Sequence, residues 1–307
     1  MRIVFMGNPE FAVASLKRLH EGGADIVGVV TGPDRPAGRG LKVQTSPVKD
    51  YAVQHGLNVL QPEKLKAPEF IEALQALKPD LGVVIAFRML PEAVWTMPTI
   101  GTVNLHASLL PQYRGAAPIN WAIINGENET GLTTFFLKHE IDTGNIIFNK
   151  RMEIGDDENA GSLHDRLMEA GAELMLETVN AIATGSYPEM PQPEYQELKH
   201  APKLFKPDCV LDFSQTAATV HDKIRGLSPY PTAYTFLAHK VFKIYQASAE
   251  IAKHDFETGK FIMEKNSLKV AVADGFIHLH EVQLEGKKRM GIVEFLNGQA
   301  SLFEASN

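Results

Sequence analysis

Over the first half of the chain, apolar residues come in short unbroken runs, and helical spacing fills the gaps between them. The runs at 2–6, 25–30, 58–60, 81–86 and 102–106 are continuous enough to be strands covered on both faces. Helical patterns at 10–21, 47–55, 68–77 and 118–125 are interleaved with them. This alternation predicts an α/β domain with a doubly wound, Rossmann-like, mostly parallel sheet. Two more strands, 132–137 and 145–153, flank an Asp142-Thr143-Gly144 turn, and a long helix over 160–183 closes the domain. Gly7-Asn8-Pro9 follows the first strand. Asn8 there reads as a helix N-cap with Pro9 in the first turn. The chain has neither a Gly-x-Gly-x-x-Gly fingerprint nor a P-loop, so no nucleotide phosphate site is predicted at that turn.

The pattern then changes. Residues 184–207 carry Pro188, Pro191, Pro193, Pro202 and Pro207 among polar neighbours, the composition of a linker. Beyond it, Ser214 is expected to cap a helix that runs to about 227. Short β-like runs follow at 232–237, 241–245, 268–272 and 276–282, with Asp274-Gly275 as a hairpin signal. The expected plan is a domain over 1–190, a linker over 191–207 and a smaller β-rich domain over 208–307.

Composition narrows the class. The 307 residues are 44% hydrophobic and 22% charged, as in a globular protein, and no apolar run is long enough to span a membrane. The first apolar run is too short for a signal peptide and leads straight into a turn. A lone cysteine, Cys209, excludes an internal disulfide and any cysteine-rich zinc site. A cytoplasmic protein with no membrane partner is expected. The net charge of -7 means that any RNA contact must rest on local basic patches.

The chemistry concentrates in Asn104-Leu105-His106-Ala107-Ser108-Leu109-Leu110-Pro111. Asn104 and His106 stand two apart on a predicted strand and so share a face. The strand breaks at Ser108, which puts the pair at its C-terminal end, where open α/β sheets place their sites. With Asp142 they supply an oxyanion donor, a proton shuttle and a group to tune it, the parts needed to move an acyl group. His278 and His280 also share a strand face but have no third ligand at a convincing spacing, so a surface pair is expected and no metal site. Trp95 and Trp121 read as packing residues.

The run from Asn104 through Gln112-Tyr113-Arg114-Gly115, with Glu129-Thr130-Gly131 and Asp142-Thr143-Gly144, resembles the 10-formyltetrahydrofolate-dependent formyltransferases. The similarity extends to 5–11, to Pro33-Asp34-Arg35-Pro36-Ala37-Gly38-Arg39-Gly40, and to Ser46-Pro47-Val48-Lys49. It is strongest to the members that formylate methionine on initiator tRNA. The resemblance implies 10-formyltetrahydrofolate as formyl donor, initiator Met-tRNA as acceptor, no metal, a monomer, and an OB-like β-barrel as the second domain. It places the catalytic roles on Asn104, His106 and Asp142, and folate binding on Ser108, Leu109, Leu110 and Pro111. Arg88, Met89 and Leu90 fall where related glycinamide ribonucleotide formyltransferases line the pterin pocket. Here they replace the glycine-containing run usual in the bacterial tRNA enzymes.

Arg35, Arg39, Lys42 and Lys49 lie in a long Gly/Pro-rich loop. Scattered charge usually marks a solvated loop, but a long loop of this kind tends to carry function. In the tRNA-modifying members the corresponding loop meets the acceptor stem. Lys287, Lys288 and Arg289 form a second candidate RNA contact, with a solvated hairpin tip as the alternative. Two other functions fit parts of the pattern: an N-formyltransferase for UDP-aminosugars, and a non-catalytic RNA-binding module.

Overall fold

A computed structural model describes residues 1–37 and 42–299. The chain divides into two compact units. One holds residues 1–114, 131–152 and 164–199; the other holds 115–130, 153–163 and 200–307.

In chain order the first elements are β1 (Arg2–Gly7), α1 (Glu10–Glu21), β2 (Asp25–Val30), β3 (Arg35–Ala37), β4 (Lys42–Gln44), α2 (Pro47–Gln54), β5 (Val59–Leu60), α3 (Pro68–Ala76) and β6 (Leu81–Ile85). Next come α4 (Glu92–Trp95), β7 (Gly101–His106), β8 (Arg114–Gly115), α5 (Pro118–Ile124), β9 (Glu129–Phe136), β10 (Ile146–Glu153) and α6 (Ala160–Thr184). The main sheet has the order β10-β9-β7-β6-β1-β2-β5. From β7 to β5 every pairing is parallel, whereas β9 joins β7 antiparallel. All five residues of β6 and all but the first of β1 are buried, as expected for strands covered on both faces. On one face Val4, Met6, Val30 and Val84 pack against Phe70, Leu74 and Val94. The alternating pattern was therefore a sound guide to the sheet.

The second half continues with β11 (His200–Ala201), α7 (Ala217–Gly226), β12 (Ala233–Leu237), β13 (Lys240–Ile251), β14 (Phe261–Met263), β15 (Leu268–Val272), β16 (Gly275–Leu284), β17 (Met290–Gly291) and α8 (Ile292–Gln299). Strands β12-β13-β16-β15-β14 form an antiparallel sheet, with β17 added on β16. Register shifts between Ile244 and Ala247 let the long β13 curl. Phe242, Ile244, Val270, Ile277 and Phe295 fill its core.

Two expected caps fall differently. Pro9 itself occupies the N-cap of α1, with no side-chain cap. The Asn8 carboxamide oxygen instead accepts from Thr31 Oγ1 (2.9 Å) and Gly32 N (2.7 Å), tying β1 to the end of β2. Thr216, not Ser214, caps α7 by accepting from the Thr219 amide. Ser214 hydrogen-bonds Asp212 Oδ1, the local competition that short hydroxyl side chains favour.

Candidate active site

Strand β7 runs between β6 and β9 and delivers Asn104 and His106 to its C-terminal end, where sequence alternation puts both side chains on one face. His106 is 7% exposed. Its Nε2 lies 2.9 Å from the Tyr113 carbonyl oxygen. A carbonyl can only accept, so Nε2 carries a proton and Nδ1 is the ring nitrogen left for chemistry. Nδ1 faces Asp142 Oδ2 at 4.0 Å, and only 12% of the Asp142 side chain is exposed. Among the described residues, none hydrogen-bonds the Asn104 carboxamide. The sequence-predicted trio thus converges in part: His106 and Asp142 face each other, and Asn104 stands on the strand face that carries His106.

The turn that brings Asp142 in is dictated by its small residues. Asp142 has φ 55°, in the left-handed region that Asp tolerates better than most residues. Thr143 Oγ1 donates to the Glu140 carbonyl. A Cβ on Gly144 would lie 1.6 Å from the Phe136 carbonyl oxygen, so only glycine lets the turn press against the end of β9. Gly131 has the same role on β9, where a Cβ would fall 2.3 Å from the Lys150 carbonyl oxygen.

Ser108, Leu109, Leu110 and Pro111 follow directly after the end of β7. The Ser108 hydroxyl is buried and donates to the Gln112 carbonyl at 2.6 Å. Thr133 Oγ1 donates to the Ser108 carbonyl (2.7 Å) and accepts from the Leu110 amide (3.1 Å). Leu110 packs against Phe135 and Ile146. Arg88 is similarly committed: its guanidinium donates to the carbonyls of Glu63 (3.0 Å) and Pro62. It pins the 86–91 loop, in which Met89 is 75% exposed and Leu90 packs against the core that holds Val4, Phe70 and Val94.

An open cleft of about 430 Å³ adjoins the Asp142 turn, lined by Trp95, Leu137, Lys138, His139, Glu140 and Thr143. Its size suits a small organic ligand. None of these was singled out for binding from the sequence. Trp95 borders the cleft where packing alone was expected, and the signal for the others was their place on either side of Asp142. Trp121 hydrogen-bonds the Pro202 carbonyl.

The basic candidates fall in both units. Arg35 is exposed on β3, which pairs antiparallel with β4. Arg39 lies outside the described residues, as does the side chain of Lys42. Lys49 is tied to Asp34 at 2.5 Å, and Gln61 donates to the same carboxylate. These hydrogen bonds, Lys49's foremost, hold the Asp34 carboxyl below the usual carboxylate range. Lys287 and Lys288 are exposed between β16 and β17. Arg289, by contrast, donates to Glu281 Oε2 at 2.5 Å and lies over the Tyr245 ring. His278 pairs with Glu250 at 2.6 Å, and His280 with Ser248 at 2.8 Å.

An imidazole at the C-terminal end of a central strand, facing a carboxylate from the turn after β9, is an arrangement suited to group transfer on an α/β sheet. Family comparison says which. Residues 1–179 match the formyl transferase model, and residues 203–300 match the model of the formyl transferase C-terminal domain, so the chain belongs to the formyl transferase family. It is 54% identical to a methionyl-tRNA formyltransferase of Bacteroides fragilis, over 97% of this chain and 95% of that one. A methionyl-tRNA formyltransferase of Parabacteroides distasonis is 53% identical, over 99% and 97%. Among solved structures, the sugar 3N-formyl transferase WlaRD, with dTDP and 5-N-formyl-THF, superposes with a TM-score of 0.67 at 20% identity, covering 94% of this chain and 99% of that one. HypX from Aquifex aeolicus in complex with tetrahydrofolic acid gives 0.62 at 19%, covering 96% of this chain and 47% of that one. At such identities these two establish the fold alone.

Proposed function

We propose that the protein transfers a formyl group from 10-formyltetrahydrofolate to the α-amino group of methionine on initiator tRNA. What carries this reading is identity above 50% to methionyl-tRNA formyltransferases along nearly the whole chain, both domains included. The amine attacks the formyl carbon, and the Asn104 carboxamide and Nδ1 of His106, the latter in the imidazolium form that carries a proton on both ring nitrogens, donate to the oxygen as it becomes an oxyanion. Asp142, facing Nδ1, helps move the amine's proton toward the folate nitrogen that leaves. The cleft beside Thr143 takes the donor's heterocycle, and Met89 and Leu90, in the loop after β6, are assigned to the same donor. So are Ser108, Leu109, Leu110, Pro111 and Arg88. A catalytic domain at 1–190, a linker at 191–207 and an RNA-binding domain at 208–307 belong to the same proposal, supported by the extents of the two family matches.

The deciding experiment supplies labelled formyl donor with either charged initiator tRNA or a UDP-aminosugar as acceptor. Turnover is expected with the tRNA alone; preference for the sugar would overturn the assignment. Arg39 separates the two acceptors most sharply. It stands between Gly38 and Gly40, and a guanidinium reads phosphate and base edges in a way lysine does not copy. Arg39→Ala is expected to raise KM for Met-tRNA or lower kcat with it, while folate affinity stays the same. Arg39→Lys should recover little. Tetrahydrofolate titration beside tRNA-dependent kinetics measures both.

In the second domain, the pairing of Arg289 with Glu281 leaves Lys287 and Lys288 to meet RNA. Replacing both lysines by alanine is expected to flatten the salt dependence of tRNA binding by about two phosphate contacts. Arg289→Ala should change that slope less. An unaltered slope in the double variant would mark the turn as merely solvated.

A further inference from the structure

We infer that Gln192, in the proline-rich segment that the sequence marks as a linker, is a positioning residue for Asp142; this rests on the reading of His106 and Asp142 given above. Gln192 lies between the two family matches, outside both. Its Nε2 donates to two carbonyls at once, those of Asp142 (2.7 Å) and Gly144 (3.0 Å). Its Oε1 accepts from Arg114 Nη2 at 2.5 Å. The orientation of the amide is unambiguous, because a guanidinium only donates and a carbonyl only accepts.

The two carbonyls flank Thr143, so one carboxamide ties the turn on both sides of it. That turn contains the left-handed Asp142, a conformation that persists only where the surroundings enforce it. Arg114, on the other side of Gln192, directly follows Tyr113, whose carbonyl holds His106 Nε2. Gln192 therefore bridges the two backbone segments that address the two ring nitrogens of His106. The rest of the segment braces the same segments. Met190 and Ile146 exchange backbone hydrogen bonds (2.9 and 2.7 Å), and the Tyr113 amide donates to the Lys199 carbonyl at 2.6 Å. The Gln112 side chain accepts from Lys199 N at 2.8 Å. The stretch from Met190 to Lys199 is the back of the active site.

The test is Gln192→Met, which keeps the length and approximate volume of the side chain but removes both donor and acceptor. Rates are measured under single-turnover conditions, with the full-length enzyme in excess over Met-tRNA and at saturating donor. The rate of transfer is expected to fall about 10- to 100-fold, the cost of a misplaced reacting group, with KM for either substrate changed by less than about threefold. Gln192→Glu keeps the acceptor for Arg114 but turns an oxygen toward both carbonyls; it should lose at least as much, and it carries the test if the methionine variant does not fold. A loss of packing alone would act independently of Asp142. Positioning through Asp142 predicts that Gln192→Met costs less than about twofold in an Asp142→Ala background. Full activity of folded Gln192→Met, or losses that multiply in the double variant, would overturn the inference while leaving the site reading intact. Near-normal activity of Asp142→Ala would overturn both.

Discussion

Folded His106→Ala enzyme is expected to transfer formyl groups about 100- to 1000-fold more slowly than the parent while binding the folate donor nearly as well. The size of the loss follows from removing one preorganised donor to a developing oxyanion. The ring is held at one nitrogen and faces a carboxylate with the other: Nε2 is spent on the Tyr113 carbonyl at 2.9 Å, and Nδ1 stands 4.0 Å from Asp142 Oδ2. It is 7% exposed, so water replaces it poorly. Alanine also removes the hydrogen bond from His106 Nε2 to the Tyr113 carbonyl, worth about 1 kcal/mol of stability. A melting curve therefore accompanies the kinetics, to show that the protein assayed is folded. Donor affinity, titrated directly, should hold because the cleft is lined by other residues. A folded His106→Ala enzyme with near-parental kcat would remove His106 from the chemistry. A collapse of donor affinity would instead assign the ring to binding.

How much of this was legible in the sequence varies with the range of the interaction. Strand periodicity put Asn104 and His106 on one face, because alternation along a strand is a local property of the backbone. The Asp142-Thr143-Gly144 turn was legible as a motif, but the reason for its glycine was not: the Phe136 carbonyl that excludes a side chain belongs to the end of β9, against which the chain folds back. The same limit explains the other differences. Asn8 has the composition of a cap, yet tertiary partners at Thr31 and Gly32 took its carboxamide. The Ser108 hydroxyl and the two terminal nitrogens of Arg88 could meet a ligand, but backbone carbonyls at Gln112, Pro62 and Glu63 occupy them. Proline content made 184–207 read as a linker. What the run at Met190–Lys199 holds is set by residues some fifty to eighty positions earlier in the chain, which no local pattern encodes.

Gly144→Ala is expected to be nearly as damaging as loss of a catalytic group, although Gly144 contributes no side chain. The added Cβ would stand 1.6 Å from the Phe136 carbonyl oxygen and 3.1 Å from the Phe135 ring, whereas real Cβ contacts do not fall below 3.0 Å. The turn must therefore retreat by more than 1 Å from the end of β9. It cannot do so and keep both of its carbonyls on Gln192. Asp142 moves with the turn, and a displacement of about 1 Å at a reacting group costs about 100-fold in rate. The expected result is a kcat lowered about 100-fold or more, with a melting temperature depressed further than the roughly 1 kcal/mol typical of point substitutions would give. Gly155→Ala is the control, since its Cβ would meet Glu158 at an unstrained 3.4 Å. It should leave both quantities near parental values. A Gly144→Ala enzyme with parental kcat would mean that the turn shifts without moving the Asp142 carboxylate, and the link from glycine to catalytic geometry would fail.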